Sequence, residues 1–353
     1  MSGRDWVDAP LAAADEDARH SAEHRQASLT KPPGSLGRLE SIAVDLAALQ
    51  GRARPRVDAV RIVVFAADHG IAAEGVSAFP QSVTAEMVRN FSAGGAAIAV
   101  MARILGADLE VVNVGTVVEL PPLPGVVNRR IAAGTANAVH AAAMTPQQYA
   151  AALAAGREAA DRARDAGTEL FIGGDMGIAN TTSASAVACA LLGAAGSELA
   201  GPGTGLDATG VARKAAVIDA ALARHADGAG DPHEVLRRLG GFEIAALAGA
   251  FVACAQQGMP VLVDGFIAST AALAAMRTRP GIEEWMLLAH RSAEPGHDRV
   301  IRALGLAPIV DLGLRLGEGT GAAAALPLLR LACALHDGMA TFDEAAVSGR
   351  VDD

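Results

Sequence analysis

The chain has 353 residues, 51% of them hydrophobic, and a formal charge of −10. That length and apolar content build a large core, either as one extended α/β domain or as a main domain with a smaller lobe. The acidic balance, with neither basic runs nor aromatic interleaving, excludes a nucleic-acid footprint, and the longest greasy stretch, Ile244 to Ala255, is too short for a bilayer span and ends in Gln256-Gln257-Gly258.

Residues 1–28 are rich in Ala, Asp, Glu and His and predict a peripheral helix, with a polar N-terminus that lacks the apolar core of a secretion signal. Lys31-Pro-Pro-Gly-Ser-Leu-Gly-Arg-Leu-Glu40 follows as rigid punctuation, with Ser35 placed to cap a helix running to about Leu49. Six short apolar runs then recur: Val60 to Ala66, Leu109 to Val114, Glu169 to Ile172, Pro260 to Val263, Trp285 to Leu288 and Pro308 to Leu312. They are continuous rather than alternating and separated by helix-length segments, which predicts buried parallel strands. The expected fold is a three-layer α/β/α domain with a Rossmann-like parallel sheet of about six strands, plus a small helical lobe from the chain termini. Residues 1–58 and 322–353 are assigned to that lobe and 59–321 to the catalytic domain. Cys189, Cys254 and Cys333 lie far apart in apolar runs and read as core residues of a reducing, cytoplasmic compartment.

Each strand run leads into a polar or Gly-rich loop, and in open parallel sheets such loops converge at the carboxyl edge, where ligands bind. After the first come Asp68-His69-Gly70, in which His69 orders its loop by hydrogen bonding, and then Phe79, Pro80 and Met87, either core or an apolar wall for a flat heterocycle. After the third, Gly173-Gly174-Asp175-Met176-Gly177 opens a helix at Asn180-Thr181-Thr182-Ser183, a pattern read as helix capping or as an anion site of backbone N–H groups and hydroxyls. Gly201-Pro-Gly-Thr-Gly205, with Lys214 two helical turns on, is either a flexible loop or a phosphate wrap built from Gly203, Thr204 and Gly205. Only two of the 29 basic residues are lysines, Lys31 and Lys214, which is either drift or a compact cation kept for phosphate. After the sixth run, Arg315-Leu-Gly-Glu-Gly-Thr-Gly321 sets one carboxylate, Glu318, among three glycines at a strand-to-helix junction. No cluster at metal-ligand spacing and no Gly-x-Ser-x-Gly elbow accompanies it, so neither a metal, another cofactor nor a covalent acyl mechanism is expected.

Taken together, Lys31 to Glu40, Ala67-Asp-His-Gly70 with Glu74-Gly-Val76, Gly177 to Thr182, Gly240-Gly-Phe-Glu243, Leu262-Val-Asp-Gly-Phe266, Ser292-Ala-Glu294 and Arg315 to Gly321 resemble the nicotinate-nucleotide:dimethylbenzimidazole phosphoribosyltransferase family. The resemblance implies transfer of the 5-phosphoribosyl group of nicotinate mononucleotide to 5,6-dimethylbenzimidazole for the lower ligand of cobalamin. It implies a homodimer, with Glu318 as catalytic base and Asp175 as a supporting acid where some relatives carry glutamate. The pyridinium leaves without an acid, and β-substrate to α-product is an inversion, consistent with direct displacement assisted by one base. Phosphate and ribose are assigned to Gly177, Asn180, Thr181, Thr182, Gly203, Thr204, Gly205, Lys214 and Arg315, and the azole to Phe79, Pro80, Met87 and Leu316. Apolar neighbours such as Leu314 and Leu316 are expected to raise the pKa of Glu318. The rivals are a nucleotide N-glycosidase using the same glutamate with water as acceptor, and a non-catalytic nucleotide- or azole-binding regulator.

Overall fold

A computed structural model describes residues 4–348 and contains one parallel sheet of seven strands in the order β3-β2-β1-β4-β5-β6-β7. The strands are β1 (Val60–Ala67), β2 (Asp108–Gly115), β3 (Val126–Asn128), β4 (Leu170–Met176), β5 (Val261–Val263), β6 (Met286–His290) and β7 (Pro308–Val310). Six match the apolar runs read from the sequence. The seventh, β3, is an edge strand of three residues after Pro-Pro-Leu-Pro-Gly, too short and too exposed to produce an apolar run.

Successive residues of β1 sort the core into two layers, as the pleat of a strand requires. Val63, Phe65 and Ala67 face α5 (Pro146–Asp165), α6 (Asn180–Leu192), α10 (Phe242–Gln256) and α11 (Phe266–Thr278). The same layer holds α7 (Gly196–Leu199), α8 (Ala208–Arg224), α9 (Pro232–Leu239) and α12 (His297–Leu304). Ile62, Val64 and Ala66 face α2 (Arg38–Gln50), α3 (Ser82–Ala93), α4 (Ala97–Leu105) and α13 (Thr320–Gly338). With both faces covered, continuous apolar strands are the stable solution.

The segments around α1 (Glu16–Ser28) and the end of α13 meet. Helix α1 packs on α2, and Arg25 donates to the carbonyls of His336, Asp337 and Met339 at the end of α13. A bridge between Leu29 and Thr341 fastens the two segments. Residues 1–3 and 349–353 of the lobe expected from 1–58 and 322–353 lie outside the described residues. One local expectation fails: Ser35 does not cap α2, whose N-cap is Gly37 without a side-chain acceptor. Glu40 gathers the preceding turn instead, accepting from Leu36 N at 2.8 Å and Gly34 N at 3.2 Å. Ser35 N and Gly37 N are spent within that turn, on the carbonyls of Pro32 and Gly34.

Strand order reverses its sense between β1 and β4, and the carboxyl edge there opens into a cleft.

Candidate active site

The cleft has a volume of about 570 Å³ and is lined by the loops after β1, β4, β5, β6 and β7. Glu318 stands on its floor, 4% exposed, in the turn between β7 and α13. Neighbouring glycines of β4 fix that seat. At Gly173 a Cβ would lie 2.5 Å from Leu247 of α10, whereas at Gly174, on the other face of the strand, it would lie 2.4 Å from the Glu318 carbonyl oxygen. The turn therefore lies directly on the strand backbone, and Glu318 N donates to the Asp175 carbonyl at 3.2 Å.

Glu318 has φ +63°, the left-handed region that costs a non-glycine residue about 1–2 kcal/mol. Its Oε2 accepts from Ile98 N, in the first turn of α4, at 3.4 Å. Burial raises its pKa above the ordinary carboxylate value and outweighs the opposing Ile98 N–H, and nearby Asp264 adds to the rise. Of the neighbours expected to desolvate it, Leu316 is 59% exposed and Leu314 half-buried.

Asp175, at the end of β4, is buried and its pKa is held well above its usual range, first by desolvation and then by Asp264 and Glu243. Its Oδ1 accepts from Asn180 Nδ2 at 2.9 Å. Behind it His69 shares hydrogen bonds with Ser183 Oγ at 2.9 Å and Glu243 Oε1 at 2.6 Å, so this histidine ties the β1 loop to α6 and α10.

The opposite wall is the start of α6. Its N-cap, Ala179, lies in the left-handed region and contributes no side-chain cap. The polar side chains that follow are engaged elsewhere: Asn180 with Asp175, Ser183 with His69, and Thr181 Oγ1 as acceptor from Lys214 Nζ at 2.7 Å. Capping thus does not account for this polar run. Gly177, Ile178, Asn180 and Thr181 all line the cleft, beside a helix N-terminus with no side-chain acceptor.

Lys214 itself is buried and donates also to the Gly201 carbonyl at 3.1 Å. Desolvation lowers its pKa to about 8, with Glu294 pulling the other way. Glu294 Oε1 accepts from Gly203 N at 3.1 Å, and Arg315 donates to the Gly203 carbonyl at 2.7 Å, so a carboxylate and a guanidinium clasp the glycine loop from two sides.

Of the residues singled out from the sequence, Glu318, Asp175, Gly177, Asn180, Thr181, Gly203, Thr204, Arg315, Phe79, Met87 and Leu316 line one cleft. Pro80, Thr182, Gly205 and Lys214 are not among its lining residues; Lys214 stands behind Thr181, and Thr182 is fully buried. Phe79, 52% exposed, belongs to the rim and is not core. Asp264, His290 and Glu294 also line the cleft; the sequence placed them in the loops converging at the carboxyl edge but assigned them no role there. Their signal was position: each lies at or shortly after the carboxyl end of β5 or β6.

A sequence model of a family described as phosphoribosyltransferase matches residues 11–347. A nicotinate-nucleotide–dimethylbenzimidazole phosphoribosyltransferase from Pseudomonas aeruginosa (strain UCBPP-PA14) is 63% identical over 350 residues, 99% of each chain. The enzyme of that name from Azotobacter vinelandii is 59% identical over 345 residues, 98% of each chain. A crystal structure of the enzyme from Thermus thermophilus superposes with a TM-score of 0.90 at 46% identity, covering 95% of this chain and all of the other.

Proposed function

Because the chain belongs to the nicotinate-nucleotide:dimethylbenzimidazole phosphoribosyltransferase family, we propose that Glu318 is the general base of a direct displacement at C1′ of nicotinate mononucleotide. The protein is a pentosyltransferase of cobalamin biosynthesis, and it transfers a phosphoribosyl group to dimethylbenzimidazole. In the step proposed, one azole ring nitrogen attacks C1′ while the C1′–N bond to the pyridinium breaks, its electron pair staying on the nicotinate nitrogen. The proton on the other azole nitrogen passes to the Glu318 carboxylate, so neither leaving group nor product accumulates charge. Attack opposite the departing ring converts a β-linked substrate into α-ribazole 5′-phosphate.

The observation that carries this reading is the polarity of the cleft. One wall offers the open N-terminus of α6, with Lys214 behind Thr181 and Arg315 beside Gly203, a setting for the phosphate. The other offers the Glu318 carboxylate, which favours a cationic pyridinium and the positive charge growing on the ribose in the transition state. Phe79, Met87 and Leu316 give the azole an apolar approach to the cleft. Glu318 takes the base role because burial raises its pKa above the ordinary carboxylate value, which makes it the stronger base. Asp175, whose pKa burial raises well above the ordinary carboxylate value, takes the supporting role of orienting Asn180 at the start of α6.

Incubation with nicotinate mononucleotide, with and without dimethylbenzimidazole, tests the reading. The expected products are nicotinate and ribazole phosphate in equal amounts, with α configuration at C1′ by NMR. Nicotinate release at the same rate without azole would instead make the protein a glycosidase.

A further inference from the structure

We propose that Asp264 is a positioning residue for Glu318, acting as a long-range cap that fixes the start of α13 and thereby the turn that carries the base. The proposal rests on the assignment of Glu318 as base.

The start of α13 has no cap of its own. Its N-cap residue, Gly319, has φ +87° and no side chain, and it directly follows Glu318 with φ +63°. With Gly317 at φ +83°, three consecutive residues have positive φ, a conformation that is costly for the non-glycine Glu318. Orphan N–H groups at a helix start need acceptors, and here both oxygens of one carboxylate from the end of β5 supply them. Asp264 Oδ2 accepts from Gly319 N at 3.2 Å, and Oδ1 accepts from Ala322 N at 2.8 Å. The two bonds straddle the helix start, so they set its rotation and its height above the sheet together. Asp264 is 1% exposed and cannot drift.

His290 buttresses this arrangement. Its Nε2 lies 3.7 Å from Asp264 Oδ1, and its ring fills space that only two glycines leave open. A Cβ at Gly321, in the first turn of α13, would lie 2.0 Å from the ring, and one at Gly265 would lie 2.9 Å from it. Ring, carboxylate and helix start therefore form one packed unit at the ends of β5 and β6. The start of α6 has no side-chain acceptor, so the same fold leaves one helix N-terminus open and closes another with a carboxylate. An anion entering the cleft is thereby directed to α6 and away from the base.

Asp264→Asn tests this. The replacement keeps the volume, but an amide cannot accept both N–H groups, so the turn loosens while the substrate contacts on α6 remain. The expected result is a kcat lowered about 10- to 100-fold, as for sub-ångström misplacement of a reacting group, with KM for nicotinate mononucleotide within about twofold. In a Glu318→Gln background the same replacement changes kcat by less than about twofold, because a residue acting only through another shows no separate effect once that one is gone. Equal losses in both backgrounds, or a wild-type kcat in Asp264→Asn, would overturn the proposal while leaving the base assignment intact. A wild-type kcat in Glu318→Gln alone would overturn the base assignment and this inference with it. Should Asp264→Asn not fold, His290→Gln gives the same reading, with kcat down about 3- to 10-fold and KM kept; a wild-type kcat there overturns the proposal.

Discussion

Glu318 combines a left-handed backbone with a carboxyl that burial, and then Asp264, hold above the ordinary value of 4.5. A base must be deprotonated to act, so kcat/KM should fall as pH drops through that raised pKa. A pH profile should therefore show an acid limb above 4.5 that Glu318→Gln abolishes; a limb that survives the substitution belongs to another group. Lys214 makes the second prediction at this scale. Burial holds its pKa at about 8 in the free protein, against the ordinary 10.5, and a neighbouring phosphate dianion raises it. Between those values the complex binds more protons than the free protein, so nicotinate mononucleotide should bind with proton uptake near pH 9 and with little near pH 6.5. Calorimetry in buffers of different ionisation enthalpy reads this directly, and identical heats at pH 9 would remove Lys214 from phosphate binding.

At the scale of elements, β4 serves two layers at once. Gly173 admits Leu247 and Phe251 of α10, while Gly174 admits the Glu318 turn. The two alanine substitutions should therefore part company. Gly173→Ala overpacks the core and should cost about 1–3 kcal/mol of stability with kcat nearly unchanged, whereas Gly174→Ala should lower kcat out of proportion to any loss in thermal midpoint. Equal kcat for the two would detach the turn from the base. The six main strands were legible because a strand covered on both faces needs an unbroken apolar run, and the cleft was legible because polar loops follow those runs. What escaped the sequence was pairing across distance. Asp264 stood in a quoted motif, yet its partners Gly319 and Ala322 lie more than fifty residues away, and no local pattern announces such a cap. Likewise Asn180 to Ser183 look like capping residues by composition, but tertiary partners at Asp175, Lys214 and His69 take three of their side chains. Ser35 departs from expectation for the opposite reason: a local capping rule does not hold where a proline turn and Glu40 decide the geometry.

Across the whole molecule, α1 and the segment after it close on α13, the helix whose first turn follows Glu318, and on the residues that follow that helix. Arg25 of α1 donates to three carbonyls at the far end of that helix, and Arg54 pairs with Asp337 nearby. A cation at a helix C-terminus is favourable, and hydrogen bonds from a charged donor contribute about 1.5–3 kcal/mol each before solvent exposure reduces them. Arg25→Ala should speed hydrogen exchange in α1 and at the end of α13 while kcat stays within about twofold. A large fall in kcat would mean that α1 and the cleft are coupled through α13. The homodimer carried by the family resemblance is a proposal of the same scale, and sedimentation of the purified chain decides it.

The most direct test of the account is the turnover of Glu318→Gln at saturating nicotinate mononucleotide and dimethylbenzimidazole, with nucleotide affinity measured alongside. The account predicts a kcat lower by about 10²- to 10⁴-fold, the range of general-base catalysis, with nucleotide affinity within about twofold. A variant that turns over at the wild-type rate, or one that loses rate only because it no longer binds the nucleotide, would contradict Glu318 as the base.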